Sequence, residues 1–241
     1  MPGKLLCLCL LFLGCYPTEV DRENTPWRDL VTEGSLAQWE VLNGFAKFEL
    51  WDGQIVGTSV LGSPNTFLVT KERYSDFILE FEVLVDNSLN SGVQFRSNSF
   101  AEYMAGRVHG YQCEIDPSDR AWSGGIYDEA RRGWLYDLEG NQFGQKAFNR
   151  NNWNYYRIEA VGDTLRIWLN DVNTANLVDT VTSSGFIGLQ VHSIQNEEDE
   201  GKEVRWKNLR ILTDSIQQYC WRHKIEAPLK AHVPGQWPIH N

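Results

Sequence analysis

The chain has 241 residues, of which 42% are hydrophobic and 12% aromatic, and its formal net charge is −10 at neutral pH. This length suits one large all-β domain or two small domains, and the composition supplies a sizeable core. The negative charge argues against a nucleic acid or an anionic membrane surface as the partner, because either would repel the protein.

The N-terminus has the pattern of an export signal. Lys4 precedes the apolar run Leu5–Leu13, which is too short to span a bilayer. The run ends at Gly14-Cys15, a pair typical of a bacterial lipobox, and an ordinary secretory signal is the alternative. We therefore expect residues 1–15 to be a signal peptide and residues 16–25 a polar tether. The protein would be exported, as a periplasmic or outer-membrane-anchored lipoprotein whose membrane contact is the lipid on Cys15.

Two cysteines lie outside this signal region, Cys113 and Cys220. In an oxidising compartment such a pair can form a disulfide. Because Cys113 lies on the apolar side of a predicted strand, a buried free thiol is the favoured interpretation. Neither residue has the spacing of a metal site.

Beyond the tether, residue character alternates with a period of two between turn signals, as is typical of strands. The predicted strands are Trp39–Leu42, Lys47–Leu50, Gln54–Thr58, Thr66–Thr70, Phe77–Val85, Gly92–Arg96, Gly110–Asp116, Tyr155–Val161, Thr164–Asn170, Leu177–Val181, Phe186–His192 and Lys202–Leu212. Asn43-Gly44, Asp52-Gly53 and Gly162-Asp163 are predicted hairpin turns. A phase change near Asn208 indicates a bulge.

So many short strands favour an all-β domain, a sandwich or jelly roll, over residues 26–213. Helical spacing is confined to Asp214–Lys224, which is predicted to be one short helix. The remaining residues, up to 241, have the composition of an extended tail. Residues 214–241 are therefore expected to be a C-terminal extension that packs on the domain.

Three of the predicted strands carry apolar residues on one side and long polar residues on the other. The polar side consists of Gln94, Arg96, Gln112, Glu114, Asp116, Gln190 and His192. An ordinary solvated sheet face is the alternative, but such a face usually carries lysine, and this one has none. We therefore predict a binding or catalytic face, with Arg96, Glu114 and His192 facing one cavity. Their placement on separate surfaces would refute this prediction.

Further candidates lie beside these strands. Glu129 belongs to a dense polar patch, and His109 precedes a strand of the polar face. Tyr127, Trp122 and Trp134 are rings that could stack on a sugar, or else close the edge of the core. The predicted substrate-binding residues are Gln94, Gln112, Tyr127, Glu129, Trp134, Gln190 and His109.

Several ordered motifs resemble those of a known family. They read Asn90-Ser91-Gly92-Val93-Gln94-Phe95-Arg96, Gly110-Tyr111-Gln112-Cys113-Glu114-Ile115-Asp116, Gly124-Gly125-Ile126-Tyr127 and Gly188-Leu189-Gln190-Val191-His192. Over about Pro26–Leu212 the chain is similar to the 3-keto-disaccharide hydrolase domain family. The resemblance implies a concanavalin A-like jelly roll that acts on glycosides whose C3 hydroxyl is oxidised to a ketone. The chain departs from the family pattern at Asn170-Asp171, where Asn-Gly is usual, and in a longer Arg120–Leu138 insert.

A C3 ketone makes the C2 proton acidic, so bond cleavage needs a base, a group to stabilise the enolate oxygen, and an acid for the leaving oxygen. We expect Arg96, with Gln94 or Gln190, near the developing oxyanion, and Glu114, Asp116 or His192 as base and acid. No cofactor is assigned. A divalent metal ion held by Glu114, Asp116 and His192 is an alternative source of polarisation.

Two other functions stay open. A retaining glycoside hydrolase could use Glu114 and Asp116 as its carboxylate pair, which would need a separation of about 5–5.5 Å. A non-catalytic carbohydrate-binding module would rely on aromatic platforms and amides. In every case the partner is a carbohydrate. The sequence carries no signal for an oligomeric state.

Overall fold

A computed structural model of the chain describes residues 26–32 and 34–232. The predicted signal peptide, the tether and the end of the predicted tail, residues 233–241, lie outside the described residues. Within the described part, no helix is long and apolar enough to cross a membrane.

Two antiparallel sheets pack face to face. The first sheet contains β1 (Trp27–Asp29), β3 (Lys47–Trp51), β4 (Gln54–Thr58), β6 (Phe77–Val85), β11 (Asn154–Val161), β12 (Thr164–Leu169), β13 (Val172–Val178), β15 (Glu203–Leu212) and β16 (Lys230–Ala231). Its order is β16-β13-β12-β11-β6-β15-β4-β3, and β1 pairs with β15. The β13–β16 pair is parallel.

The second sheet carries the polar face. It contains β2 (Trp39–Asn43), β5 (Thr66–Thr70), β7 (Ser91–Asn98), β8 (His109–Ile115), β9 (Ile126–Glu129), β10 (Gly133–Tyr136) and β14 (Phe186–Val191), in the order β10-β9-β8-β7-β14-β5-β2. The helical segments are short: α1 (Gln142–Gln145) and two 3-10 turns, Glu197–Asp199 and Ile216–Gln218.

The core lies between the sheets because the alternating residues of both inner faces are apolar. Val93, Cys113 and Leu189 of the second sheet are completely buried there. In the first sheet, Phe81 and Tyr156 stack with their ring centroids 5.1 Å apart. Burying each such side chain contributes roughly 1.5–3 kcal/mol. Cys113 is a buried free thiol, as predicted, and Cys220 is also free.

The hairpin predictions are confirmed at two turns and wrong at the third. Asp52-Gly53 closes the β3–β4 hairpin with φ of +48° and +71°, and Gly162-Asp163 closes β11–β12. Asn43-Gly44 instead connects β2 of the second sheet to β3 of the first. Glycine is needed there for a close approach, since a Cβ at Gly44 would lie 2.1 Å from the Thr66 hydroxyl oxygen.

The bulge in β15 is confirmed. The register between β15 and β6 shifts between Lys207 and Arg210, and Asn208 has a φ of +53°. The bulge explains why the apolar phase changes along this strand.

The prediction of a helix over Asp214–Lys224 is wrong, because only the 3-10 turn Ile216–Gln218 forms. Residues 214–232, here called the C-terminal segment, lie on the first sheet. The backbone of Trp221 donates a hydrogen bond to Glu159, and its ring lies 4.5 Å from the guanidinium carbon of Arg157. Arg157 is buried and forms ion pairs with both Glu80 and Glu159. The C-terminal segment therefore covers a buried ionic cluster.

Candidate active site

The outer face of the second sheet forms the floor of a pocket. In the strand register, Gly92 of β7 lies opposite Glu114 of β8 on one side and Gln190 of β14 on the other. A Cβ at Gly92 would lie only 2.4 Å from Cδ of Gln112, so the Gln112 side chain extends over the glycine. The missing side chain at Gly92 lets three polar side chains converge from adjacent strands.

The pocket has a volume of about 560 Å³. Eight residues singled out from the sequence line it: Gln112, Glu114, Asp116, Tyr127, Glu129, Trp134, Gln190 and His192. Four others were not singled out: Asn65, Asn90, Arg107 and Arg120.

Glu114 is a buried carboxylate of the pocket floor, with 3% of the residue exposed. Its Oε1 accepts hydrogen bonds from Asn90 at 2.8 Å and Arg120 at 3.2 Å, and its Oε2 accepts one from Gln112 at 2.9 Å. Burial raises the pKa of Glu114 to about 7, although these donors oppose the shift. Glu114 can therefore exchange a proton at neutral pH.

A chain of hydrogen bonds orients the Glu114 carboxylate. The Ser97 hydroxyl donates to Gln94 at 2.7 Å, Gln94 donates to Gln112 at 2.6 Å, and Gln112 donates to Glu114. Gln94 is fully buried beneath the pocket and does not belong to its wall. Because each amide uses its NH₂ group toward Glu114, Oε2 of the carboxylate always faces a donor.

Glu129 lies on another wall of the pocket. It is 5% exposed and forms a long ion pair with Arg107, 3.4 Å from nitrogen to oxygen. Burial raises the pKa of Glu129 above its ordinary value, and the Arg107 guanidinium opposes this shift. The pocket therefore holds two carboxyl groups with raised pKa values, a pattern common at catalytic sites.

The two histidines that were predicted as site residues, His192 and His109, have different positions relative to the pocket. His192 lines the pocket, and its Nδ1 donates to the carbonyl oxygen of Ser193 at 2.8 Å, so Nε2 is the acceptor of the neutral ring. His109 is buried behind the wall, where its Nδ1 bonds the carbonyl oxygen of Arg107 and its ring lies 4.1 Å from that of Tyr103. His109 thus supports the loop that carries Arg107.

Gln190 is completely buried on the pocket floor, and neither its amide oxygen nor its amide nitrogen has a hydrogen-bond partner within the protein. Leaving such a group unpaired costs roughly 1–3 kcal/mol. A fold keeps an unpaired amide at a pocket floor when a ligand or water completes its hydrogen bonds.

The family model described as a 3-keto-α-glucoside-1,2-lyase-like domain matches residues 26–212. The chain belongs to this family. Membership confirms the family resemblance of the sequence motifs, and the match contains every residue of the pocket wall. The search of curated proteins found no match.

Solved structures share the sandwich fold of this 3-keto-α-glucoside-1,2-lyase-like domain. A candidate glycosyl hydrolase from Parabacteroides distasonis is 17% identical, with a TM-score of 0.57 over 81% of this chain and 98% of its own. A protein of unknown function with a galectin-like fold from Bacillus subtilis is 9% identical, with a TM-score of 0.57 over 78% of this chain and 94% of its own. The carbohydrate recognition domain of Emp47p is 14% identical, with a TM-score of 0.51 over 77% and 93% of the two chains. The predicted jelly-roll class is therefore confirmed as a galectin-like and lectin-like sandwich.

Arg96 is not in the pocket of this lyase-like domain, contrary to the prediction of a shared cavity. Its Nε donates to the carbonyl oxygen of Ser75 at 2.6 Å, one terminal nitrogen to that of Gly162 at 2.7 Å, and the other to Asp76 at 2.9 Å. The cause is a bulge: Arg96 has a φ of +46°, and the β7–β8 register shifts between Phe95 and residue 98. The alternation that predicted its direction ends there, whereas Glu114 and His192 do share the pocket.

The aromatic residues pack against one another. Trp134 contacts Trp122 edge-on at 4.7 Å and Tyr127 at 5.2 Å, and the guanidinium of Arg120 lies 4.9 Å from the rings of both tryptophans. This is a supported wall of the pocket, and the faces of Trp122 and Trp134 that Arg120 covers are not free platforms for a sugar.

The alternative of a divalent metal ion has no matching ligand cluster in the described part of the chain. Asp116 accepts from the backbone N–H of Ser118 at 3.0 Å and from Arg120 at 2.8 Å, so its oxygens already have protein donors. The residues present therefore do not fit a metal site at Asp116.

Proposed function

We propose that this protein cleaves the glycosidic bond of 3-keto-glycosides by elimination. The observation that carries the proposal is Glu114, a buried carboxylate on the floor of a polar pocket with a pKa of about 7. A base of this pKa is suited to remove a proton made acidic by a neighbouring ketone at neutral pH. Membership of a family described as 3-keto-α-glucoside-1,2-lyase-like supports the same chemistry.

In the proposed reaction, Glu114 takes the proton from C2, and the electrons of the C2–H bond form an enolate with the C3 ketone. The ketone then re-forms as the C1–O bond breaks, which leaves a C1=C2 double bond. The products are an unsaturated 3-keto sugar and the free alcohol, and water adds to the double bond in a later step if the final product is a hydrated sugar.

Gln190 is assigned to the ketone oxygen. Its amide is buried and unpaired within the protein, two strands away from Glu114 with Gly92 between them. Neighbouring strands are about 4.8 Å apart, so the backbones that carry Glu114 and Gln190 are separated by about two strand spacings. A sugar ring can lie between these two side chains, above the Gln112 side chain that covers Gly92. An amide donor fixed in a water-poor site stabilises negative charge without having to reorganise.

Glu129 is assigned as the acid that protonates the leaving oxygen. Burial makes the Glu129 carboxyl easier to protonate than an exposed one, and the Arg107 guanidinium beside it opposes this effect. His192, whose Nε2 is free to accept, is assigned with Asn65 to the substrate hydroxyls. Glu129→Gln should then lower turnover more than His192→Gln, and the reverse result would make His192 the acid.

The rival functions fit the pocket less well. A retaining glycoside hydrolase that uses Glu114 and Asp116 needs Asp116 free to attack the sugar, whereas Asp116 is paired with Arg120 and with the backbone N–H of Ser118. A pure binding module needs exposed ring faces, whereas Trp122 and Trp134 are stacked by Arg120. Burying a titratable carboxyl pair costs free energy, a cost that simple sugar binding does not require.

The test compares a 3-keto disaccharide with the unmodified disaccharide. We expect cleavage of the 3-keto substrate only, an unsaturated 3-keto sugar as first product, and a slower rate when C2 carries deuterium. Glu114→Gln should reduce turnover by about 100-fold or more. The exposed Glu139→Gln is the matched control and should leave turnover unchanged. Preferred cleavage of the unmodified sugar would make the protein an ordinary glycoside hydrolase, and binding without turnover of either would make it a binding module.

We also propose that the protein is exported and anchored through Cys15. The short apolar run that ends at Gly14-Cys15 supports this assignment. Cells that express the full chain should incorporate labelled palmitate into the protein, and Cys15→Ser should abolish the label. Labelling that survives in the variant would contradict the assignment.

A further inference from the structure

Asp116 is held rigidly at the end of β8. Its backbone N–H donates to the Ser123 hydroxyl at 2.8 Å, and the same hydroxyl donates to the Asp116 carbonyl oxygen at 2.9 Å. Its carboxylate accepts from the N–H of Ser118 and from Nε of Arg120, and the residue is 3% exposed. A carboxylate fixed at this many points is suited to hold another group in place.

The group that it holds is the Arg120 guanidinium. Nε of Arg120 binds Asp116 at 2.8 Å, and a terminal nitrogen lies 3.2 Å from Oε1 of Glu114. The guanidinium carbon lies 4.9 Å from the ring centroids of Trp122 and Trp134. The Arg120 side chain is 42% exposed, so contacts rather than burial fix its position. Planar guanidinium groups suit such combined stacking and pairing better than lysine does.

We propose that Asp116 is a positioning residue, which holds Arg120 against the two indoles so that this cation keeps Glu114 available to accept the substrate proton. The inference deepens the proposed function and rests on it for the role of Glu114. It replaces the expectation that Asp116 acts directly as base or acid.

The surroundings of Glu114 show why Arg120 matters. Asp116 is a like charge on the same strand, Asn90 and Gln112 are neutral donors, and Gln190 is neutral. Burial raises the pKa values of Cys113 on β8, Tyr127 on β9 and Tyr156 on β11, so all three are neutral at neutral pH. Glu129, Arg107 and His192 share the pocket and complete its ionisable groups. Within the described residues, Arg120 is the cation that contacts Glu114.

Two opposing effects separate the proposal from a simple charge effect. If Asp116 acts only as a neighbouring negative charge, Asp116→Asn should make Glu114 a weaker acceptor of protons. If Asp116 acts by holding Arg120, the released guanidinium moves into solvent, and Glu114 should bind its proton about tenfold more tightly. The direction of the change therefore decides between the two roles.

The experiment follows the Glu114 side-chain carboxyl carbon by NMR in protein with labelled glutamate, with Glu114→Gln to identify the signal. We expect tighter proton binding in Asp116→Asn and in Arg120→Met. Adding Asp116→Asn to Arg120→Met should produce no further tightening, because no cation remains to be released. Trp122→Leu removes a ring that contacts Arg120 and changes no charge. It should also tighten proton binding by Glu114, and it is the second variant if Asp116→Asn fails to fold.

In the folded variants, the acid limb of the kcat/KM profile should move upward in pH with the NMR titration. Unchanged or weaker proton binding by Glu114 in Asp116→Asn would overturn the inference. If Asp116→Asn does not fold, the same result in Trp122→Leu would overturn it. The titration is read without substrate, so it separates the two proposals. A shifted titration in a protein that turns over no 3-keto-glycoside would contradict the proposed function and leave the Asp116–Arg120 assignment standing.

Discussion

The raised pKa of Glu114 links catalysis to stability, and Glu114→Gln tests both. The carboxyl binds its proton with a pKa of about 7 in the folded protein, against an ordinary value of 4.5. At 1.36 kcal/mol per unit, this difference corresponds to about 3 kcal/mol for a group that is fully buried. The folded state binds the proton more tightly than the unfolded chain, so this stabilisation is complete below pH 4.5 and is lost as the pH rises through 7.

The wild-type free energy of unfolding should therefore fall by about 2–3 kcal/mol more than that of Glu114→Gln between about pH 5 and about pH 8. Urea unfolding of both proteins at the two pH values measures this difference, and it cancels the effect of Glu129, which both retain. Glu139→Gln is the control, since that side chain is exposed, and it should follow the wild type. At the higher pH, Glu114→Gln should be at least as stable as the wild type, although its turnover is lost. Parallel pH curves for Glu114→Gln and the wild type would refute a raised pKa and with it the choice of Glu114 as the base.

Three further substitutions separate binding from structural roles. Gln190→Met removes an unpaired buried amide, so it should raise the free energy of unfolding by about 1 kcal/mol or more. The same substitution should lower kcat/KM for a 3-keto-glycoside at least about tenfold. A lower free energy of unfolding in urea would show that the amide has a protein partner. Gly92→Ala places a Cβ against Gln112, so turnover should fall although the substituted residue carries no chemistry, and a crystal structure should show Gln112 displaced. Arg96→Lys breaks bonds to two carbonyl oxygens and should cost about 3 kcal/mol in thermal unfolding, with kcat of the folded protein unchanged; a large loss of kcat would return Arg96 to the reaction.

The polar face could be predicted from the sequence because β7, β8 and β14 alternate polar and apolar residues around Gln94, Glu114 and Gln190. Gln112, Glu114 and Gln190 are each two residues from another pocket or support residue on the same strand, and the register confirms their common side. The hydrophobic pattern fixes this arrangement, since a slip of one residue would bury the amides and expose the core.

The rest of the pocket depends on backbone features that alternation does not encode. The bulge at Arg96 turns a side chain away at a residue whose type gives no warning. Arg107 and Arg120 lie on loops, and the path of each loop is set by contacts that the sequence pattern does not specify, such as the Tyr103 hydroxyl on the carbonyl oxygen of Ala130. One usable signal was present: Arg120 follows Asp116 by four residues across Pro117, in a turn that brings the two charges together.

The C-terminal segment has a consequence for where this protein ends as a folding unit. Similarity to the family stops at residue 212, yet the chain beyond it seals Glu80, Arg157 and Glu159 from water. Truncation at residue 212 would expose these three charged side chains to water and would remove the parallel β13–β16 pair. The shortened protein should have a lower free energy of unfolding because of changes far from the pocket. Loss of activity in it would therefore not test the roles of the pocket residues.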